Sequence, residues 1–234
     1  MMPPMSYEKV TTPDGTFDAY LALPESGQGP GVLVFQEIFG INDNIRGICD
    51  RLAGEGYVAL APDMFWRLEP RFERKDESGM QDGMGMVQRL DFGAAARDMS
   101  AALAHLRGLD ACTGKVGAIG FCLGGTLTYL CATTEPDLDA AVPYYGSGIH
   151  DMLGSAENLR CPTLFHYGDR DPFIPAEQIA LVDAAMADKP NVTVQHHDAG
   201  HAFSNWDAPS MYDQPAAEQA WNRTLEFFDR HLRG

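Results

Sequence analysis

Lys115-Val116-Gly117-Ala118-Ile119-Gly120-Phe121-Cys122-Leu123-Gly124-Gly125 is the stretch that decides how the chain is read. Lys115 to Ile119 has the apolar character of a strand, and Gly124 to about Ala132 reads as a helix. Between them Gly120-Phe121-Cys122-Leu123-Gly124 is a nucleophile elbow, G-x-S-x-G, with cysteine in place of serine. The turn must lift the nucleophile off the strand end, so the residues two before and two after it have to be small. It sets the sulfur near a helix N-terminus, where partial positive charge favours thiolate, and offers the Leu123 amide to an oxyanion. The plain structural alternative is a buried cysteine in a tight strand-to-helix turn.

Outward from the elbow, strand and helix alternate. Thr16 to Leu23, Gly31 to Gln36, Tyr57 to Ala61, Ala140 to Tyr145, Thr163 to Tyr167 and Val192 to His196 read as strands. Asn42 to Glu55 puts Ile45, Ile48, Cys49 and Leu52 on one helical face and Gly56 stops it; Asp91 to Arg107, Ala176 to Ala187 and about Ala216 to Leu232 also read as helices. Short connections make the sheet mainly parallel and doubly wound, with helices on both faces, in one α/β domain over residues 1–234. Residues 65–90 carry Arg67, Arg71, Arg74 and Arg89 beside a run rich in glycine and methionine, Gly79 to Met86, and are expected to form a long loop, a lid or a binding loop.

Composition narrows the function classes. The 234 residues carry a formal net charge of −16, which repels a phosphate backbone and an anionic bilayer, so neither nucleic acid nor membrane is expected as a partner. Apolar runs such as Val32-Leu33-Val34-Phe35 fall far short of the ~20 residues that cross a bilayer. The start, Met1-Met2-Pro3-Pro4-Met5-Ser6, lacks the basic and apolar regions of a signal peptide. Five scattered cysteines without a C-x-x-C pair point to reduced thiols in the cytoplasm. Cys49 and Cys131 on helix faces, Cys112 in a connection and Cys161 before a proline read as core or loop thiols.

A nucleophile needs a base, and the base an orienting acid, which in this type of sheet follow in the order nucleophile, acid, histidine. Gly168-Asp169-Arg170-Asp171-Pro172-Phe173-Ile174-Pro175 follows one strand, and Ala199-Gly200-His201-Ala202-Phe203 follows another. Both emerge at the carboxyl edge, where open α/β sheets build their sites. Asp171 is favoured over Asp169 because Pro172 restrains its backbone. His201 is favoured over His196 and His197, an adjacent pair whose side chains point to opposite faces of a strand. His197 and His201 are four apart, but Gly200 and the strand context spoil helical ligand spacing, and no metal is expected. Gln36-Glu37-Ile38-Phe39-Gly40 comes directly after the buried run Gly31 to Phe35; Glu37 there can hold the thiol neutral until substrate displaces it, and the Ile38 amide can be the second oxyanion donor. The alternative is that Glu37 caps a helix or pairs with an arginine.

These segments, together with Ala61-Pro62-Asp63, Gly117 to Gly125, Tyr144-Tyr145-Gly146 and Phe165 to Pro175, resemble the dienelactone hydrolase family, the carboxymethylenebutenolidases of the α/β-hydrolase fold. The resemblance implies Cys122 as nucleophile, His201 as base, Asp171 as its orienter, Glu37 as the carboxylate that switches the thiol on, and Leu123 and Ile38 as oxyanion donors. It implies opening of an enol lactone to maleylacetate without a cofactor, in the breakdown of chlorinated aromatic compounds. Phe39, Tyr145, Phe203 and Asn205 are the candidate substrate-binding residues, and the expected partner is a small ester or lactone, taken up by a monomer or small homo-oligomer. One departure stands out: family members carry an arginine two residues beyond the His-x-Phe segment, where this chain reads Ser204-Asn205. The competing expectations are a broad esterase for a neutral ester and a catalytically silent fold that binds a ligand or senses redox state through its thiols.

Overall fold

A hairpin opens the described chain. Strands β1 (Ser6–Thr12) and β2 (Gly15–Ala22) pair antiparallel, from Ser6 opposite Leu21 to Thr12 opposite Gly15. The computed structural model describes residues 6–75 and 77–234; Met1 to Met5, read above for an export signal, and Asp76 lie outside them. The chain forms two compact units, one ending at Gly117 and the other spanning Ala118–Gly234.

In the first unit β2 pairs antiparallel with β4 (Val58–Pro62), which pairs parallel with β3 (Gly29–Phe35). The order is β1-β2-β4-β3, followed by β5 (Cys112–Phe121), the strand in which the boundary between the units falls. Val32 to Phe35 and Val58 to Ala61 are fully buried, as expected of strands covered on both faces. Helix α1 (Asp43–Gly54) starts where the Asn42 side chain accepts the Ile45 N–H, and it buries Ile45, Ile48, Cys49 and Leu52 against β2, β3 and β4. Each such side chain contributes about 1.5–3 kcal/mol. The antiparallel β1 edge is an addition to the reading above: in Ser6–Thr12 only Val10 and Thr12 are buried, too few for a hydrophobic run.

The segment 65–90 is not loop throughout: its second half is helical. A 3₁₀ turn (Glu77–Gly79) leads into helix α2 (Met80–Arg89), which buries Met86. Glycine normally weakens a helix by about 1 kcal/mol, which is why Gly79, Gly83 and Gly85 suggested a loop. Gly83 has a packing reason instead: a Cβ there would meet the Ile38 carbonyl oxygen at 2.6 Å. Helix α3 (Phe92–Gly108) follows at once, capped by the Asp91 carboxylate on the Ala94 N–H.

In the second unit the order is β5, β6 (Ala140–Tyr144), β7 (Thr163–Gly168), β8 (Val192–His197), and the β6–β7 and β7–β8 pairs are parallel. Helix α4 (Leu123–Thr134) packs on β6, α5 (Ala176–Met186) on β8 and α6 (Gln214–Phe228) on β7; a π-helical turn, Asp229–Arg233, ends the last. Every loop that carries Asp171 or His201 leaves the carboxyl end of one of these parallel strands.

Candidate active site

Cys122 stands between β5 and α4 with φ 55° and ψ −115°, a conformation L residues rarely adopt and one that costs on the order of 1–3 kcal/mol. The surroundings hold it there. Its amide donates to the Tyr144 carbonyl at 3.1 Å, and α4 begins with the Gly125 and Thr126 amides on the Cys122 carbonyl. Gly120 and Gly125 are required rather than merely tolerated: a Cβ on Gly120 would run into the Gly124 carbonyl and come within 2.5 Å of Thr128 Oγ1, and one on Gly125 would strike the Tyr144 carbonyl. The side chain of Cys122 is half-buried, whereas burial pushes the thiols of Cys49 and Cys131 far up and that of Cys161 up to about 11. Those three are core thiols; Cys112 opens β5 instead of sitting in a connection.

The other two groups arrive on the loops after β7 and β8. His201 Nδ1 meets Asp171 Oδ2 at 2.7 Å, and the imidazole is also hydrogen-bonded to Cys122. Asp171 is fixed from its other oxygen, where Oδ1 accepts the Phe173 and Ile174 amides at 2.8 and 3.0 Å. Its side chain is 0% exposed and that of His201 7%. Burial pulls the imidazole down, but the Cys122 sulfur and the Asp171 carboxylate outweigh it and push His201 up to about 10. Asp169 and His196, the competitors, pair with each other at 2.7 Å, and His197 turns inward to His166.

Aromatic rings frame the imidazole. Tyr145 lies 5.2 Å from His201, with its hydroxyl on Ser204 Oγ at 2.8 Å, and Phe203 packs edge-on to Tyr145 at 5.1 Å. Phe173, not among the candidates above, stands edge-on to His201 at 5.3 Å and is 58% exposed. It sat within the quoted acid loop, but no sequence pattern distinguishes it from a surface phenylalanine. Asn205 is buried, and its Oδ1 accepts the Asp207 amide at 3.0 Å. Glu37, Ile38 and Phe39 belong to the first unit, buried at the carboxyl end of β3; the Gly40 amide turns back to the Glu37 carbonyl and Arg74 donates its amide to that of Phe39.

The four arginines of 65–90 each have carboxylate or backbone partners. Arg67 grips Asp98 through two nitrogens at 2.9 and 2.8 Å and reaches Asp14 at 2.8 Å. Arg71 pairs with Asp18 at 2.9 Å and stacks over Tyr7, Arg74 pairs with Asp82 at 2.7 Å, and Arg89 donates to the Gly85 carbonyl at 3.2 Å and to Met86 Sδ.

The model of the dienelactone hydrolase family matches residues 17–232. The chain belongs to that family. The carboxymethylenebutenolidase of Pseudomonas sp. (strain P51) is 37% identical over 218 residues, covering 92% of this chain and 91% of the relative. That of Pseudomonas putida is 34% identical over 215 residues, covering 91% and 90%. Among solved structures, a dienelactone hydrolase-like promiscuous phosphotriesterase from metagenomic libraries superimposes with a TM-score of 0.81 at 29% identity, over 97% of this chain and 98% of the other. This dienelactone hydrolase family member is therefore a hydrolase of the α/β-hydrolase fold. None of its described helices is long and apolar enough to cross a membrane.

Proposed function

We propose that this family member is a cysteine-dependent carboxylic ester or lactone hydrolase that works through an acyl-enzyme on Cys122. The observation that carries the reading is one buried imidazole bonded on one side to Asp171 and on the other to a thiol displayed on a strained turn. In the first step the sulfur bonds to the acyl carbon, the C–O bond to the leaving group breaks, and the proton held on His201 passes to the leaving oxygen. In the second, water attacks the thioester, His201 takes its proton, and Cys122 leaves as thiolate. Asp171 holds the imidazole in register for both transfers and balances its charge.

The Leu123 amide, in the first turn of α4 where helical N–H groups lack intrahelical acceptors, and the Ile38 amide are assigned to the oxyanion. Glu37 is the carboxylate that tunes the thiol, and Phe39, Tyr145 and Phe203 line the substrate. The reaction needs no cofactor and takes place in the cytoplasm, where the thiol stays reduced. The test is hydrolysis of p-nitrophenyl acetate with mass analysis of quenched enzyme. Cys122→Ala is expected to lose at least about 10³-fold in kcat and to trap no acyl group, while wild type carries one on the Cys122 peptide. Equal rates in the two proteins overturn the reading.

For the substrate, the family relation favours an enol lactone opened to maleylacetate. A second reading, a neutral ester, is favoured by Asn205, which stands where an arginine would grip a carboxylate and whose Oδ1 already accepts the Asp207 amide. Comparing kcat/KM for dienelactone with that for a neutral ester of similar size decides between them; strong preference for the carboxylated lactone removes the second reading.

A further inference from the structure

Behind the proposed site lies a line of buried polar side chains that the mechanism does not use. His166 on β7 is 0% exposed, His197 on β8 2% and Thr224 on α6 0%. His166 Nδ1 lies 2.9 Å from His197 Nε2, and His166 Nε2 3.2 Å from Thr224 Oγ1. Thr224 Oγ1 lies 2.7 Å from the Tyr144 hydroxyl, and His197 Nδ1 3.2 Å from Gln219 Oε1. The line thus ties β6, β7 and β8 to α6.

Elementary donor counting gives it a direction. Gln219 Oε1 only accepts, so His197 Nδ1 carries the proton. In a neutral imidazole His197 Nε2 then accepts, which puts the His166 proton on Nδ1 and leaves His166 Nε2 to accept from the Thr224 hydroxyl. Thr224 in turn accepts from Tyr144. Both imidazoles have to be neutral for this order, and their surroundings favour that. Burial holds His166 well below the usual imidazole range, with His197 and Arg223 adding to it; burial likewise lowers His197, and it outweighs the opposing Gln219 hydrogen bond and Asp169 charge, with Arg223 and His196 on its side.

The backbones of the same residues hold the site. The Tyr144 carbonyl accepts the Cys122 amide at 3.1 Å, and the His166 carbonyl accepts the amide of Tyr145, whose ring lies against His201, at 2.7 Å. The His197 carbonyl accepts both the Asp169 and the Ala199 amides at 2.8 Å, the first anchors of the loops that bring Asp171 and His201. We propose that the chain Tyr144–Thr224–His166–His197–Gln219 is a one-directional hydrogen-bond relay whose members are positioning residues for hydrolysis, setting the strand ends from which Cys122, Asp171 and His201 are presented. The inference rests on the proposed triad.

The test removes one link without changing volume. Thr224→Val takes away the hydroxyl that donates to His166, and Thr224→Ser keeps it. With p-nitrophenyl acetate, Thr224→Val is expected to lower kcat about tenfold with KM within about twofold, and Thr224→Ser to stay within about twofold of wild type in both. Thr224→Val at the wild-type kcat, or Thr224→Ser falling as far as Thr224→Val, overturns the proposal. Nitrogen-15 NMR of the wild-type imidazoles is independent of both activity and the folding of any variant. It is expected to show His166 and His197 neutral and protonated at Nδ1 at pH 7, and the opposite tautomer or a charged ring at that pH in either residue overturns the order. Activity surviving in Cys122→Ala would remove the triad reading while leaving the NMR result to stand or fall by itself.

Discussion

Two histidine–aspartate pairs stand near the carboxyl ends of β7 and β8, His196 within β8 and His201 on the loop after it, each with Nδ1 on a carboxylate oxygen at 2.7 Å, and their surroundings differ. In His201–Asp171 the side chains are 7% and 0% exposed; in His196–Asp169 they are 37% and 55% exposed. The free ends differ too. His196 Nε2 faces a second carboxylate, Asp183, at 3.2 Å, so both its nitrogens must carry protons to satisfy their partners and no lone pair is left for a base. His201 spends only one nitrogen on a carboxylate and keeps the other for the Cys122 sulfur. Distance alone does not separate the pair proposed for catalysis from the other; exposure and the occupant of the second nitrogen do.

The comparison breaks most sharply at the carboxylate. Asp171→Asn keeps the size of the acceptor but removes its charge and its hold on the tautomer, so kcat on p-nitrophenyl acetate is expected to fall by about 10³–10⁴. Asp169→Asn, the same change 2.7 Å from the other histidine, is expected to stay within about twofold. Comparable losses in the two variants would mean that the buried pair is not special.

Gly168 joins the two pairs. A Cβ there would meet the Ala199 and Gly200 carbonyl oxygens at 2.5 and 2.6 Å, so Gly168→Ala must push the His201 loop away from Asp171. Displacement of about 1 Å in a reacting group can cost on the order of 10² in rate. We expect that loss in kcat while the exposed pair, outside the crowded backbone, keeps its NMR shifts; an unchanged kcat would show that the loop tolerates the shift.

Titration sharpens the contrast next. His201 is expected to give up its proton near pH 10 in wild type and well below that in Cys122→Ala or Asp171→Asn, followed by imidazole NMR. Its folded value lies above the ordinary ~6.5 of an unfolded histidine, so the stability contributed by this proton is complete below about pH 6.5 and lost as pH rises through about 10. Wild-type enzyme should therefore lose stability across that window more steeply than Asp171→Asn. A wild-type His201 titrating near 6.5 would remove the charge coupling from the reading.

Much of this was legible in the sequence because chemistry restricts residue types. An elbow needs glycines around one nucleophile, a triad needs an acid and a histidine after strand ends, and the strands of a covered sheet are unbroken apolar runs such as Val32 to Phe35. What stayed hidden is held by backbone or by distant partners. The Tyr144 carbonyl that fixes the Cys122 amide and the Ile174 amide on Asp171 leave no mark on residue identity. The contact between His166 and His197 spans 31 positions, β1 is too polar to announce itself, and the glycines of α2 disguise a helix because one of them makes room for the Ile38 carbonyl.

The smallest effect belongs to the exposed pair itself. His196 is lowered by partial burial, but the hydrogen bonds it makes to the Asp169 and Asp183 carboxylates more than compensate, so it is raised overall. With more than a third of each side chain in water, solvent and salt screen the attraction, and removing the pair by His196→Gln should cost no more than about 1 kcal/mol. Denaturation in low and high salt measures this: a small loss at low salt that fades at high salt is expected. A larger loss independent of salt would mean that His196 is held by packing, and exposure would then no longer distinguish its pair from that of His201.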